Sequence, residues 1–563
     1  MEKPLNELLF RTISWMKRNA YLLAFSGLGI IYIFNMFINV MEVDGAQYAS
    51  IAREMYENGQ FLEVYHRNTD YLDKPPLLFW LSALSFKLFG ISNFAYKLPS
   101  ILIIILGIYS TYKFAAIYYE KAKAQLSALI LASSQALLLI TNDVRTDGLL
   151  LGLVIFTIWQ LSAFIQYKHY KYLLLAGVGM GGAMLTKGPI GMLIPALAVG
   201  SHLIYKQEWK NIFNPKWLLM LLVVALILTP MCIGLYEQFD LHPEKNVYGL
   251  QGPSGLKFFF LTQSFGRLTG DIYWRENDDF FYFFHTILWD FQPWVLIFIV
   301  ALGTQIWALV KNNSFKSAEQ ISFLGFIFTF LILSKSNYKL PHYIFPILPF
   351  AAVQTAHFLY EIAKQKKHLV RYFVWFQFVL SSLLILVVLL AFLFVFPVTQ
   401  PLSYLILVLA FVFHLFIFKK TNSGLKKIIF GTVFSILIFG IHLSAYFYPN
   451  LLKYQASSQA GLYFRGHQKE QNRIYIYKQS GHALDFYAQQ ISNAIQIENM
   501  DTLAAGSVVY TDLESAYEIM NKHNRCIIIK EFDAYRVSLL KPAFLNKESR
   551  KNMLEKRVLV QFN

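Results

Sequence analysis

The stretch LLFWLSALSFKLFGIS, residues 77–92, decides how the whole chain is laid out. It is apolar enough to enter a bilayer yet short of the ~20 residues that cross one. If it spans, every later loop changes side; if it lies flat as an amphipathic interfacial helix, none does. Charge chooses between the two. With the stretch flat, about thirteen spans follow, near 19–40, 97–118, 124–141, 148–166, 172–187, 189–205, 217–236, 289–311, 318–335, 341–362, 370–396, 402–418 and 428–447. The inner loops then hold Lys121/Lys123, Lys168/Lys171, Lys206/Lys210/Lys216, Lys311/Lys316, Lys364/Lys366/Lys367/Arg371 and Lys419/Lys420/Lys426/Lys427. The reverse layout exports nearly all of these, against the rule that basic loops stay inside. Lys3, Arg11, Lys17 and Arg18 put the N-terminus inside as well.

Composition agrees. Of 563 residues, 56% are hydrophobic and only 15% charged, where a soluble chain carries about 25% charged. Recurrent apolar runs make this a polytopic α-helical membrane protein over residues 1–450. The net charge of +16 lies in short loops, so an anionic membrane face is the expected partner and nucleic acid is not. Cys232 and Cys526 give neither a disulfide framework nor a metal spacing. The polar N-terminal segment is too long for a cleaved signal peptide and predicts a retained anchor.

This layout puts four polar intervals outside: MEVDGAQYASIAREMYENGQFLEVYHRNTDYLDKPP (41–76), TNDVRTD (141–147), the 237–288 loop and SKSNYKLPHY (334–343). Asp44 is either a functional carboxylate, with Tyr48 one helical turn on, or an N-cap. Asp147 has the same two readings, with Asp143 and Arg145 as solvated loop charges; two acids at one membrane level could divide acid and base work or hold a divalent cation. Lys74 is presented rigidly by Pro75-Pro76 and suits a phosphate, with snorkelling as the alternative. The 237–288 loop is long enough to be a lid and carries Arg267, a phosphate clamp or a partner of Asp271, and Arg275. Lys335, Tyr338, Lys339, His342 and Tyr343 lie outside against the charge bias, which points to an anion; His342 has no partner at metal-ligand spacing. Lys187, between two joined spans, reads equally as a turn lysine.

From about residue 451 the chain turns polar, with β-like runs at 473–477, 507–511 and 525–530 and helical patterns at 482–490 and 514–522. This predicts a small external α/β domain over 451–563. It shows no phosphate loop and no metal spacing, and reads as an accessory domain.

Several motifs occur in order: D-G-A-Q-Y-A-S-I-A-R-E (44–54), K-P-P-L-L-F-W (74–80), F-G-I-S-N-F-A-Y-K-L-P-S (89–100), R-T-D (145–147), L-T-K-G-P-I (185–190) and Y-K-L-P-H-Y-I-F-P (338–346). Together they resemble the GT-C fold glycosyltransferases that use polyprenyl-phosphate sugars, the protein-mannosyltransferase and aminoarabinose-transferase superfamily. The resemblance implies about thirteen spans with interfacial helices and an external C-terminal α/β domain. It implies Asp44 and Asp147 as the catalytic acids, Lys74 and Arg267 as donor-phosphate ligands, and Tyr48 in the pocket. Lys339 joins the phosphate ligands, and Tyr338, His342 and Tyr343 the pocket. The family usually has Glu after the first Asp, where this chain has Gly45, and its aminoarabinose branch often has Glu before Lys-Pro-Pro, where this chain has Asp73. No histidine stands just before Arg267, where Ser264 and Phe265 lie. The metal question stays open, with Asp73 the one candidate ligand.

The implied reaction is an inverting transfer of sugar from undecaprenyl phosphate to lipid A or another envelope glycan, on the periplasmic face of a bacterial inner membrane. Cations would take up the leaving phosphate's charge. Asp44 would position an anionic acceptor or deprotonate a hydroxyl. The alternatives are protein O-mannosylation and, from another class, a lipid-linked sugar transporter or flippase, which would place its charges at mid-membrane between repeats.

Overall fold

The computed structural model describes residues 19–263, 266, 279–311, 319–467 and 472–563. The N-terminal basic cluster, Lys316, Arg267, Asp271 and Arg275 lie outside these.

Each predicted span falls on helix. In chain order the elements used below are α1 (Ala20–Phe37), α2 (Asp44–Asn58), the ribbon β1 (Tyr65–His66) and β2 (Thr69–Asp70), α3 (Leu77–Phe89), α4 (Asn93–Tyr118), α5 (Lys121–Ala132), α6 (Gln135–Ile140), α7 (Thr146–Tyr167), α8 (Tyr170–Lys187), α9 (Ile190–Tyr205) and α10 (Trp217–Leu235). A second ribbon, β3 (Asn246–Val247) with β4 (Leu250–Gln251), precedes α11 (Val295–Val310), α12 (Ile321–Ser334), α13 (Leu348–Gln365), α14 (Lys367–Leu390), α15 (Pro401–Lys420) and α16 (Thr432–His442). Seven helical stretches among the described residues are long and apolar enough to cross a membrane: Ala20–Phe37, Asn93–Tyr118, Thr146–Tyr167, Trp209–Asp240, Lys367–Val395, Pro401–Lys420 and Gly424–Tyr454.

The closest helix crossing is made by missing side chains. A Cβ on Gly152 of α7 would overlap the Ile103 carbonyl of α4, and one on Gly107 would lie 2.8 Å from the Gly152 Cα. Without aqueous burial to drive association, such close backbone approach is a main source of helix adhesion in lipid.

Two predicted elements differ in detail. The segment 341–362 begins as a 3-10 turn, Pro341–Ile347, before α13. Pro341 and Pro346 lack the N–H an α-helix needs, so His342 and Tyr343 stand ahead of the helix. The stretch 77–92 forms the 13-residue α3, about 20 Å long. One face packs inward through Phe79 and Phe86 against Tyr48 and Tyr56 of α2, while Leu84, Leu88 and Phe89 are exposed. Its polar residues are Lys87 and the buried Ser82 and Ser85, and its exposed face is largely apolar.

The tail carries helix α17 (Ala456–His467), strand β5 (Ile474–Ile476), α18 (His482–Ala488), β6 (Asn493–Ala494), β7 (Val508–Asp512), α19 (Leu513–Lys522), β8 (Cys526–Ala534) and β9 (Glu555–Phe562). Its sheet runs β6-β5-β7-β9-β8, parallel across β6-β5-β7 and antiparallel from β7 onward. The tail shares a core with the polar segment that follows α1 and with α3 and α4: Ala483, Phe486 and Tyr487 join Tyr48, Phe79, Phe86 and Tyr96 in one buried cluster.

Candidate active site

Three of the four polar intervals (41–76, 141–147 and 334–343), the turn at Lys187 and the tail converge on one cavity of about 330 Å³. Asp44 enters from the first turn of α2 and Asp147 from the first turn of α7. Neither acts as an N-cap: the cap positions are Val43 and Arg145, with no side-chain cap bond. Their carboxylates are instead taken by cations. Arg145 donates to Asp44 through Nη1 and to Asp143 Oδ2 through Nε at 2.8 Å. The two acids raise the guanidinium's proton affinity against the opposing effect of burial. Lys187 Nζ, at the end of α8, lies 2.5 Å from Asp147 Oδ1 and 3.5 Å from the centre of the Tyr343 ring. Lys74 Nζ lies 2.5 Å from Asp73 Oδ2. Its rigid Pro-Pro support is further tied by Gln263, which donates to the Asp73 carbonyl.

His342 Nε2 lies 3.6 Å from Asp147 Oδ2. Burial, then the nearby Arg145, Lys187 and Lys74, push this imidazole well below its ordinary value, so it is a neutral hydrogen-bonding group. Tyr48 is buried at the cavity wall, and burial raises its phenol well above the ordinary value. Tyr338 and Tyr343 line the same cavity.

The remaining expected residues divide. Lys339 is 3% exposed and is not among the described residues lining the cavity. Its neighbours Tyr338 and Leu340 face the cavity in its place. Arg267 lies outside the described residues. The described part of the 237–288 loop leans on the first external segment: Gln238 donates to the Val64 carbonyl at 2.9 Å, and Lys245 reaches Asp70 at 3.1 Å.

Three cavity residues escaped the sequence reading as site members. Arg145 and Lys187 were visible as charges in R-T-D and T-K-G-P-I, but their partners lie 101 and 40 positions away. His482 comes from the tail. α18 docks on α2: Ser50 Oγ donates to the His482 carbonyl at 2.9 Å, and Arg67 Nε to Asp485 Oδ2 at 2.6 Å. The Ala483 amide donates to Glu42 Oε1 at 3.1 Å. The His482 ring stands 5.0 Å from that of His66 and titrates near 4, lowered first by burial and then by Arg67.

Gly45 has a local explanation. A Cβ there would lie 2.9 Å from Asp143 Oδ1. Asp143 thus occupies the space a side chain at 45 would take, and supplies a second acid beside Asp44.

Among the described residues no donor set fits the metal reading. Asp44, Asp73 and Asp147 are each held by a cation, and no group of three or more His, Cys, Asp or Glu among the described residues is arranged to hold a metal ion.

A second, mostly apolar cavity of about 380 Å³ adjoins the first. It is lined by Leu150, Ile190, Leu193, Ile332 and Leu333 and shares Lys187 and Tyr343 with the polar one.

The profile of the dolichyl-phosphate-mannose-protein mannosyltransferase family matches residues 73–233. A protein of Aquifex aeolicus is 28% identical over 475 residues, covering 82% of this chain and 85% of its own. An undecaprenyl phosphate-alpha-4-amino-4-deoxy-L-arabinose arabinosyl transferase of Erwinia tasmaniensis is 25% identical over 363 residues. That match covers 62% of this chain, and the chain spans about three-fifths (61%) of that relative's length. The crystal structure of ArnT from Cupriavidus metallidurans bound to undecaprenyl phosphate superimposes with a TM-score of 0.71 at 16% identity, over 96% of this chain and 97% of that one.

Proposed function

We propose that this chain, a GT-C fold glycosyltransferase of the protein-mannosyltransferase and aminoarabinose-transferase superfamily, moves a sugar from a polyprenyl phosphate to an envelope acceptor in the cavity around Asp44 and Asp147. The observation that carries this reading is the pair of joined cavities. A polar, charge-lined space lies beside an apolar one, and Lys187 and Tyr343 line both. A lipid-linked phosphosugar has that division: chain in the apolar space, phosphate at the junction, sugar among the carboxylates.

In this reading Lys74 and Lys187 receive the phosphate, exchanging their carboxylate partners for it, and Arg267 is the third cation. Charge stabilisation of the leaving phosphate replaces protonation. The acceptor approaches from the side of Asp44, opposite the leaving group, and inverts the anomeric carbon. Asp44 deprotonates a hydroxyl acceptor or orients an anionic one such as a lipid A phosphate. Arg145 fixes its carboxylate. The further parts of the proposal are about thirteen spans with α3 lying flat, a bacterial inner-membrane location, and a periplasmic cavity and tail, supported by the placement of the basic loops.

The test is transfer from radiolabelled undecaprenyl-phosphate sugars by the purified chain, offered lipid A, other envelope lipids and Ser/Thr peptides in turn. Labelled lipid A is the expected product. Labelled peptide would instead assign protein O-glycosylation. Movement of the donor between vesicle leaflets without covalent transfer would assign transport and overturn the proposal.

A further inference from the structure

We infer that a cationic cleft at the end of the bundle opposite the active-site cavity binds the headgroup of an anionic phospholipid. α14 starts at Lys367, and its helical continuation reaches Phe394, whose carbonyl accepts a hydrogen bond from the Lys547 amide of the tail. Helical rise over that length separates Lys367 from the tail by about 40 Å. The end of α15 and residues 424–431, leading into α16, return to the level of Lys367. Between these segments lies a cleft of about 950 Å³, lined in part by Lys367, Arg371, Trp375, Phe378, Lys419 and Lys427.

The four cations come from three segments, and among the described residues none of them forms an ion pair. Arg371 donates only to Tyr372 Oη, at 2.9 Å. Three basic residues of other loops have side-chain partners of their own. Lys123 bonds Glu361 Oε1 at 2.7 Å, Lys168 bonds Asn211 at 2.8 Å, and Lys216 covers the Tyr170 ring at 4.7 Å. Like charges gathered in one cleft repel unless an anion joins them. The floor is apolar, with Val370 and Val374 beside the Phe378–Phe418 ring pair at 5.1 Å. Trp375 stands 67% exposed at its edge, the placement typical of a membrane interface. Cations around an apolar floor fit an amphiphile: lysines act as point charges for phosphate, and acyl chains cover the floor. Basic pockets between membrane helices take anionic headgroups in this way. A free anion or an acidic peptide would leave the apolar floor unused.

The experiment is native mass spectrometry of the full purified chain titrated with phosphatidylglycerol, with phosphatidylethanolamine and inorganic phosphate as separate arms. Phosphatidylglycerol is expected to be retained selectively. Each cation near a lipid surface contributes about fivefold, so K419Q/K427Q should bind about thirtyfold more weakly. K206Q/K210Q, on another basic loop, should bind as the parent does. Should the double variant not purify, R371Q alone is expected to lose about fivefold. A second readout is the rise in Tm on adding phosphatidylglycerol, expected in the parent and reduced in the cleft variants. Equal retention by the cleft variants and the parent would overturn the inference. So would equal retention of phosphatidylethanolamine. Displacement of the lipid by millimolar inorganic phosphate would make the cleft a free-anion site and equally overturn it.

Discussion

The active-site cavity and the cationic cleft use basic residues in opposite ways. In the cavity Arg145 is held by Asp44 and Asp143, Lys187 by Asp147, and Lys74 by Asp73. In the cleft none of the four cations has a carboxylate among the described residues. On the two proposals above, the difference separates a place that turns over from a place that stays filled. A substrate phosphate can enter the cavity by taking a carboxylate's position beside a lysine already oriented, and leave when the carboxylate returns. The cleft has no internal competitor, so a bound anion is exchanged only for another.

Breaking the cavity side should have the largest effects. Asp44→Asn removes the acceptor-side carboxylate and should lower kcat by about a hundredfold or more, the low end for a general base. Initial rates with labelled donor would check this, and an undiminished rate removes Asp44 from the chemistry. Lys187→Met strands the 2% exposed Asp147. Losing one member of a buried pair costs about 3 kcal/mol or more, so Tm should fall and the donor KM rise. Adding Asp147→Asn to Lys187→Met should recover part of the lost Tm; a further drop would show that the pair does not exist.

His482→Ala tests whether the tail completes the cavity. Loss of one hydrogen-bonding group contributes about 1 kcal/mol, so the acceptor KM should rise several-fold while the donor KM holds. Equal changes in both would reduce His482 to a packing residue. The docking of α18 on α2 should depend on pH. His66 titrates near 3 and His482 near 4 in the folded chain, both lowered first by burial. Their contribution is present above the ordinary histidine value of about 6.5 and lost as pH falls through 4. Glu54 is raised by burial to about 7, so its contribution is complete below the ordinary carboxyl value and lost as pH rises through 7. The protection factors of the α2 and α18 amides, with the intrinsic pH dependence of exchange divided out, should therefore be highest near pH 6.5, and protection rising steadily from pH 6.5 to 4 would contradict both histidine assignments. Smallest of all, K419Q/K427Q in detergent should leave the transfer rate within about twofold, since distant sites act independently.

Much of this arrangement is legible in the chain because a membrane makes local composition informative. Apolar length marks the helices, and lysines mark loops, so the four polar intervals could be assigned to one side before their contacts were known. Asp44, Lys74 and Asp147 follow from that placement together with the motifs. What local pattern does not carry is partnership across distance. Arg145 looks like a solvated loop charge until α2 is set beside it, and Lys187 like a turn lysine until α7 is. Lys339 has the same local signature as Lys335, yet the 3-10 turn that follows leaves it buried. His482 sits 438 positions from Asp44, in a helix whose own pattern shows only an amphipathic turn of polypeptide. Strands β6 and β9 are hard to read in sequence because β6 is only two residues long and β9 opens on the charged run Glu555-Lys556-Arg557.

The bare backbone at Gly45 has a consequence for how this site can vary. Because the Asp143 carboxylate lies 2.9 Å from where a Cβ at 45 would stand, an acid near this point can be delivered from either of two places in the chain, and a side chain at 45 would push the Asp143 carboxylate aside. A relative bearing glutamate at the equivalent of 45 is then under pressure to shrink the residue at 143. Grafting one pattern onto the other would require exchanging the two positions as a set.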